Sequence, residues 1–190
     1  MLDHGQIFNA IDFAVEAHRG QFRKGVRAPY VFHPLNVGRL LMESGLGIEY
    51  AVAGILHDTI EDTETTAEEI AERFGPDVLE LVNAATEKNR DSSWKERKLA
   101  TLRELSLLDV RFLYVPCADK LDNMYASNNQ LRLFGSSFWD HFRAPASEQR
   151  WYYSSLSSLF LRRLERSPCE HLSLELSRIV GLNFTEAQAE

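Results

Sequence analysis

At 190 residues, 44% of them hydrophobic and 26% charged, the chain has the balance of a globular domain with a sizeable core, which excludes a disordered or membrane-spanning class. No apolar run reaches the roughly 18 residues of a spanning helix and no basic-then-apolar leader opens the chain, so a cytoplasmic protein with no membrane partner is expected. A formal net charge of −7 argues against binding a nucleic-acid polymer, and Cys117 and Cys169, without metal-type spacing, are expected to be buried thiols.

In chain order, Gln6–His18 carries Ile7, Ala10, Ile11, Ala14 and Val15 near helical spacing and stops at Gly20. Residues 20–33, GQFRKGVRAPYVFH, predict an ordered loop that delivers His33-Pro34 to the next helix, with Pro34 as its first residue. Arg19, Arg23, Lys24 and Arg27 cluster within nine residues around the start of that loop; they suit a small anionic ligand or a solvated basic loop equally. A helix over 48–58 follows. Thr66-Ala-Glu-Glu69 and Ser93-Trp-Lys-Glu96 have capping-box spacing and start helices ending near Phe74 and Leu108, while Pro76 opens another to about Thr86. Residues 110–126 begin as a β-like apolar run and then place Pro116 in the first turn of a helix that carries Asp119 and Asn123 on one face. An aromatic loop at 134–142 precedes helices at about 147–165 and 169–180. No alternating segment is long enough for a sheet, so the fold class is all-α, in a single domain.

The stretch LHDTIEDT at 56–63 places His57-Asp58 and Glu61-Asp62 within six positions. On one continuous helix Glu61 would share a face with His57 and Asp58. With His33 and Asp119 the pair makes a nitrogen and oxygen donor set suited to Mn²⁺, Fe²⁺ or Zn²⁺. His57 and Asp58 lie about 100° apart on a helix, so both reach one ion only where the helix end points at it or the backbone departs from helical geometry. Water acidified by such an ion would be the nucleophile, and Glu61 or Asp62 would orient or deprotonate it; spacing does not choose between them. Taken singly, each of these residues also fits an ordinary surface or helix-end position. His18 is read as packing near the basic loop, and His4, His141 and His171 show no ligand pattern.

The ordered set AHRGQFRKGVRAPYVFHP, AGILHDTIEDTETT, RFGPDVLELVNAATE and ADKLDNM resembles the hydrolase domain of RelA/SpoT homologues, in the HD phosphohydrolase superfamily, over about residues 6–126. Phe138–Tyr153 is similar to the downstream region of the small alarmone hydrolases. The resemblance implies an HD-type helical bundle over 1–190 with a central metal site, no synthetase domain, and Mn²⁺-dependent removal of the 3′-pyrophosphate from ppGpp or pppGpp. It implies His33, His57, Asp58 and Asp119 as metal ligands, and Glu61 and Asp62 as the catalytic pair. Arg23, Lys24, Tyr30, Asn123 and Tyr152 match residues near the nucleotide. Pro116 stands where the family commonly has lysine, and Asp122 where it has histidine or tyrosine. Adenosine alarmones (ppApp), the 2′-phosphate of NADPH, and a non-catalytic nucleotide sensor are the alternatives.

Overall fold

Ten α-helices follow one another in the computed structural model, which describes residues 5–87 and 92–184: α1 (Gly5–Ala17), α2 (Phe32–Glu43), α3 (Ile48–Leu56), α4 (Thr59–Asp62), α5 (Ala67–Phe74), α6 (Pro76–Ala85), α7 (Trp94–Leu107), α8 (Tyr114–Phe134), α9 (Ala146–Arg163) and α10 (Glu170–Asn183). The architecture is all-helical, as the sequence predicts; among the described residues β-pairing is limited to one isolated bridge between Phe22 and Pro29. Both capping boxes form. The Thr66 and Ser93 hydroxyls accept from the Glu69 and Glu96 backbone N–H groups, and each glutamate carboxylate accepts from the backbone of its cap, satisfying donors that would otherwise face only water.

The scaffold of the site is the pairing of α2 with α3, and it rests on two glycines. A Cβ at Gly54 would lie 2.6 Å from Leu41 Cδ1 and 3.1 Å from the Gly38 backbone, while one at Gly38 would lie 2.5 Å from Ile55 Cγ1. Any side chain at either position pushes the helices apart. Their close approach sets the first turn of α2, with His33, beside the last turn of α3, with His57; the two imidazole centroids are 5.1 Å apart. Leu41, Val52, Leu56, Leu113, Val115 and Leu121 are fully or almost fully buried around this pair, each contributing roughly 1.5–3 kcal/mol of transfer free energy. Cys117 and Cys169 are buried free thiols, as expected.

Three local expectations need correction. The helix over 48–58 is interrupted: α3 ends at Leu56, Asp58 takes φ −95° and ψ −5°, and α4 starts at Thr59. The β-like run at 110–113 is a 3₁₀ turn whose start is capped by the Asp109 side chain accepting from Arg111 N–H; its apolar residues face a helical core and find no strand to pair with. Finally, α8 runs on to Phe134 before Gly135, and 135–141 is 3₁₀. Pro34 is the third residue of α2 and not the first, because the helix already starts at Phe32; Pro116 is likewise the third of α8, and both lie within the first turn, where a missing N–H costs no helix bond.

A second, smaller apolar cluster lies beyond the end of α8. Leu131, Phe138 and Trp139 are buried there, with Phe142 and Phe184 packed against them, and the Trp139 and Phe184 rings stack at 4.9 Å. No helix among the described residues is long and apolar enough to cross a membrane.

Candidate metal centre and nucleotide cavity

The break at His57-Asp58 lets adjacent residues aim at one point. His57 ends α3 with its Nδ1 2.8 Å from the Gly54 carbonyl, which can only accept; Nδ1 therefore carries the proton and Nε2 faces the site as a lone pair. That Nε2 is buried and has no hydrogen-bond partner among the described residues, an orphan that a cation would satisfy. Asp58 swings round so that its Oδ2 lies 3.1 Å from His57 Nε2 and 3.4 Å from His33 Nε2. Asp119, from α8, brings Oδ1 to 3.2 Å from His33 Nε2 and 3.8 Å from His57 Nε2. Thus all four predicted ligands converge from three helices, and the His33, His57 and Asp58 ligand atoms lie within 4.8 Å of one another. Two imidazole lone pairs and two carboxylates fit a divalent transition ion, with open positions left for water and substrate.

The electrostatics agree. Burial disfavours charge on His33, but hydrogen bonds to Asp119, Asp122 and Asp58 outweigh it and hold its pKa well above the usual imidazole value; His57 is raised likewise against burial, chiefly by the Asp58 charge. Burial would raise the two aspartates, yet His57 and His33 hold Asp58 well below the carboxylate range, and Lys120 leads the groups that hold Asp119 down. The cluster is a buried anionic site that must be neutralised by protons or by a metal.

Around the donors lies a layer of orienting groups. Tyr30 donates its hydroxyl to Asp58 Oδ2 at 2.5 Å, and burial and that carboxylate keep it protonated by raising its pKa. Asn123 Nδ2 donates to Asp119 Oδ1 and Lys120 Nζ to Asp119 Oδ2, each at 2.5 Å. Lys120 and Asp122 were not singled out from sequence as site residues, although both lie inside the ADKLDNM motif; Lys120 bonds its own neighbour Asp119, and the partners of Asp122, His33 and Arg23, come from α2 and the basic loop.

Beside this layer opens a cavity of about 280 Å³ whose walls include Arg23, Lys24, Tyr30, Asp62, Asn123 and Gln130, with Phe22, Phe138, Phe142 and Tyr153 as aromatic faces. The basic loop is closed on itself by backbone bonds from Arg23 N to Ala28 O and from Tyr30 N to Gln21 O, and is held to α8 by Gln130 Nε2 donating to the Lys24 carbonyl. Four of the predicted substrate residues therefore line one cavity. Tyr152 is the exception: it is buried behind the wall, its ring against Trp94 and Tyr153 and its hydroxyl without a hydrogen-bond partner among the described residues, while Tyr153 faces the cavity. On a helix adjacent residues diverge by about 100°, which the run WYY cannot reveal.

Glu61 and Asp62 also separate. Glu61 Oε2 accepts from the Glu87 backbone N–H at 2.9 Å, and burial raises its pKa; exposed Asp62 lines the cavity and accepts through its carbonyl from Gln21. A larger groove of about 1230 Å³ opens on the other side of Asp62, but Asp12, Glu16, Glu64 and Glu69 give it the wrong charge for a phosphate ligand. His18 is buried against Tyr30 and bonded to Gln21, as read from sequence; His4 lies outside the described residues.

The chain belongs to the HD-domain family, whose pattern it matches over residues 10–133. It is 42% identical over 122 residues to an Aquifex aeolicus guanosine-3′,5′-bis(diphosphate) 3′-pyrophosphohydrolase, an alignment covering 63% of this chain and 17% of that protein. To the Xenopus tropicalis protein of the same name, MESH1, it is 39% identical over 64% of this chain and 69% of the relative. A crystal structure of lmo0812 from Listeria monocytogenes superposes with TM-score 0.73 at 36% identity, covering 79% of this chain and 97% of that one. A metazoan SpoT orthologue described as hydrolysing ppGpp shares the fold, with TM-score 0.73 at 24% identity over 94% and 96% of the two chains. Within the HD-domain family the chain accordingly stands with the hydrolase domain of RelA/SpoT homologues, the small alarmone hydrolase group. It spans less than a fifth of the length of the bacterial relatives first matched.

Proposed function

We propose that this chain is a guanosine 3′,5′-bis(diphosphate) 3′-pyrophosphohydrolase that uses Mn²⁺. The observation that carries this reading is the convergence of His33, His57, Asp58 and Asp119 beside a cavity with a basic rim and aromatic walls. Its relatives named for that activity support the substrate class. The reading takes the chain as one hydrolase unit.

A divalent ion held by the four ligands would polarise water and offset negative charge on the phosphoryl oxygens. The chain's own residues do the rest. Arg23 and Lys24 meet phosphates with charge-assisted hydrogen bonds, and the aromatic walls give a purine flat surfaces to stack on. Glu61, with a raised pKa, takes a proton from the attacking water, and Asp62 orients that water from the cavity side. The water oxygen bonds to the phosphorus, the bond from phosphorus to the 3′-oxygen breaks, and the 3′-oxygen leaves with a proton. The products are GDP, or GTP from pppGpp, and pyrophosphate.

Chelator-treated protein should convert ppGpp to GDP and pyrophosphate only when Mn²⁺ is added, and Asp58→Ala should lose both the metal and the turnover. Anion-exchange chromatography reads the products. Intact ppGpp after long incubation overturns the reading, and parallel runs with ppApp and NADPH identify the substrate in that case.

A further inference from the structure

We infer that Asp122 is a positioning residue that ties the metal centre to the phosphate-facing Arg23. One carboxylate oxygen of Asp122 serves both: Oδ2 is 2.7 Å from His33 Nδ1 and accepts from Arg23 Nη1 at 2.9 Å. The second Arg23 nitrogen, Nη2, donates to Asn123 Oδ1 at 2.8 Å, and Asn123 Nδ2 donates to Asp119 Oδ1, itself 3.2 Å from His33 Nε2. The contacts therefore close into a ring running His33, Asp122, Arg23, Asn123, Asp119 and back to His33. Asp119, Asp122 and Asn123 are three and four residues apart on α8, so one helix face presents the whole arc.

Each link has a consequence. The carboxylate can only accept from His33, so Nδ1 carries the proton and Nε2 presents its lone pair to the ion, the arrangement by which outer partners orient metal-bound histidines. The same carboxylate, with Asn123, grips the planar guanidinium at two nitrogens, fixing Arg23 in rotation as well as position. Asp122 is buried, 6% exposed, so no water competes well for it. A neutral side chain at this position could not bind the imidazole and the guanidinium through one anionic oxygen. A substrate phosphate drawing on Arg23 and an ion drawing on His33 thus act on one shared group, and affinity for one is linked to affinity for the other.

The role of Arg23 toward phosphate rests on the proposed function; the role of Asp122 toward the metal does not. The test is therefore Mn²⁺ binding to the full chain without nucleotide, followed by electron paramagnetic resonance, for wild type, Asp122→Asn, Arg23→Gln and the double variant. Asp122→Asn should bind Mn²⁺ about 10- to 100-fold more weakly. Arg23→Gln, which touches no ligand, should weaken it by less than about 10-fold, and the double variant should fall short of the product of the two effects. The thermal midpoints of the metal-free proteins control for misfolding; if Asp122→Asn does not fold, Asp122→Glu and Arg23→Gln carry the same cycle. Wild-type Mn²⁺ affinity in a folded Asp122 variant, or strictly multiplicative effects, would overturn the inference. If ppGpp proves not to be the substrate, these affinities still decide it.

Discussion

The floor of the site and its wall are built on opposite physical principles. The floor, at the meeting of α2, α3 and α8, is a buried polar network in which each donor atom is aimed by a further hydrogen bond: His57 by Gly54, His33 by Asp122, Asp58 by Tyr30, Asp119 by Asn123 and Lys120. The wall, from 3₁₀ residues 135–141, Phe142 and α9, is mainly aromatic packing with few directed bonds. Directed bonds tolerate little displacement, whereas ring faces accept a range of stacked geometries. Chemistry should therefore fail abruptly when the floor is altered, and binding should decline gradually when the wall is.

Three variants test that contrast. The largest effect should come from Glu61→Gln, which keeps the shape of the side chain but removes the carboxylate proposed as the base. Turnover should fall by about 10²–10⁴-fold while Mn²⁺ affinity stays near wild type. Unaltered hydrolysis when Asp62→Asn is added to it would sink the assigned chemistry.

Next, Phe142→Ala removes a cavity face that carries no directed bond. Nucleotide affinity should drop by about 1–3 kcal/mol, the usual worth of one base stacked on an aromatic ring, with little change in kcat or Mn²⁺ affinity. Steady-state kinetics separate the two parameters, and a loss confined to kcat would contradict the division into floor and wall.

The smallest effect belongs to a polar network outside the site. Glu175 accepts from Tyr125 and is gripped by Arg178, whose hydrogen bond is the main reason its pKa is lowered to about 2. Because the folded pKa is below the unfolded one, its contribution is present above about pH 4.5 and is lost as the pH falls toward 2. The pair is solvent-accessible, so Glu175→Gln should cost no more than about 1 kcal/mol at neutral pH and leave KM unchanged. Thermal denaturation at pH 7 and pH 3 should show the variant and wild type drawing together at the lower value.

Much of the floor was legible in the sequence because its residue types are chemically restrictive. Few reasons other than a metal bring His33, His57-Asp58 and Asp119 into one chain with Glu61-Asp62 beside them, and capping boxes at Thr66 and Ser93 mark helix starts through local hydrogen bonds alone. The wall was not legible. Phe, Tyr and Trp read alike whether they face a core or a cavity, so the choice of Tyr153 over Tyr152 depended on the rotation of α9 against α7 and α8. Nor could spacing show the break after α3, since residues 48–58 read as one helical run.

The all-α class, the placing of most helices, and the choice of His33, His57, Asp58 and Asp119 as residues worth bringing together could be read from sequence, because periodicity, caps and donor chemistry are local properties. Only the tertiary structure decided that the Gly38 and Gly54 surfaces meet so that two histidines 24 positions apart face each other, and that Asp122 joins His33 to Arg23. Those facts depend on distances between separate helices, which are set by packing in three dimensions and leave no periodic trace along the chain.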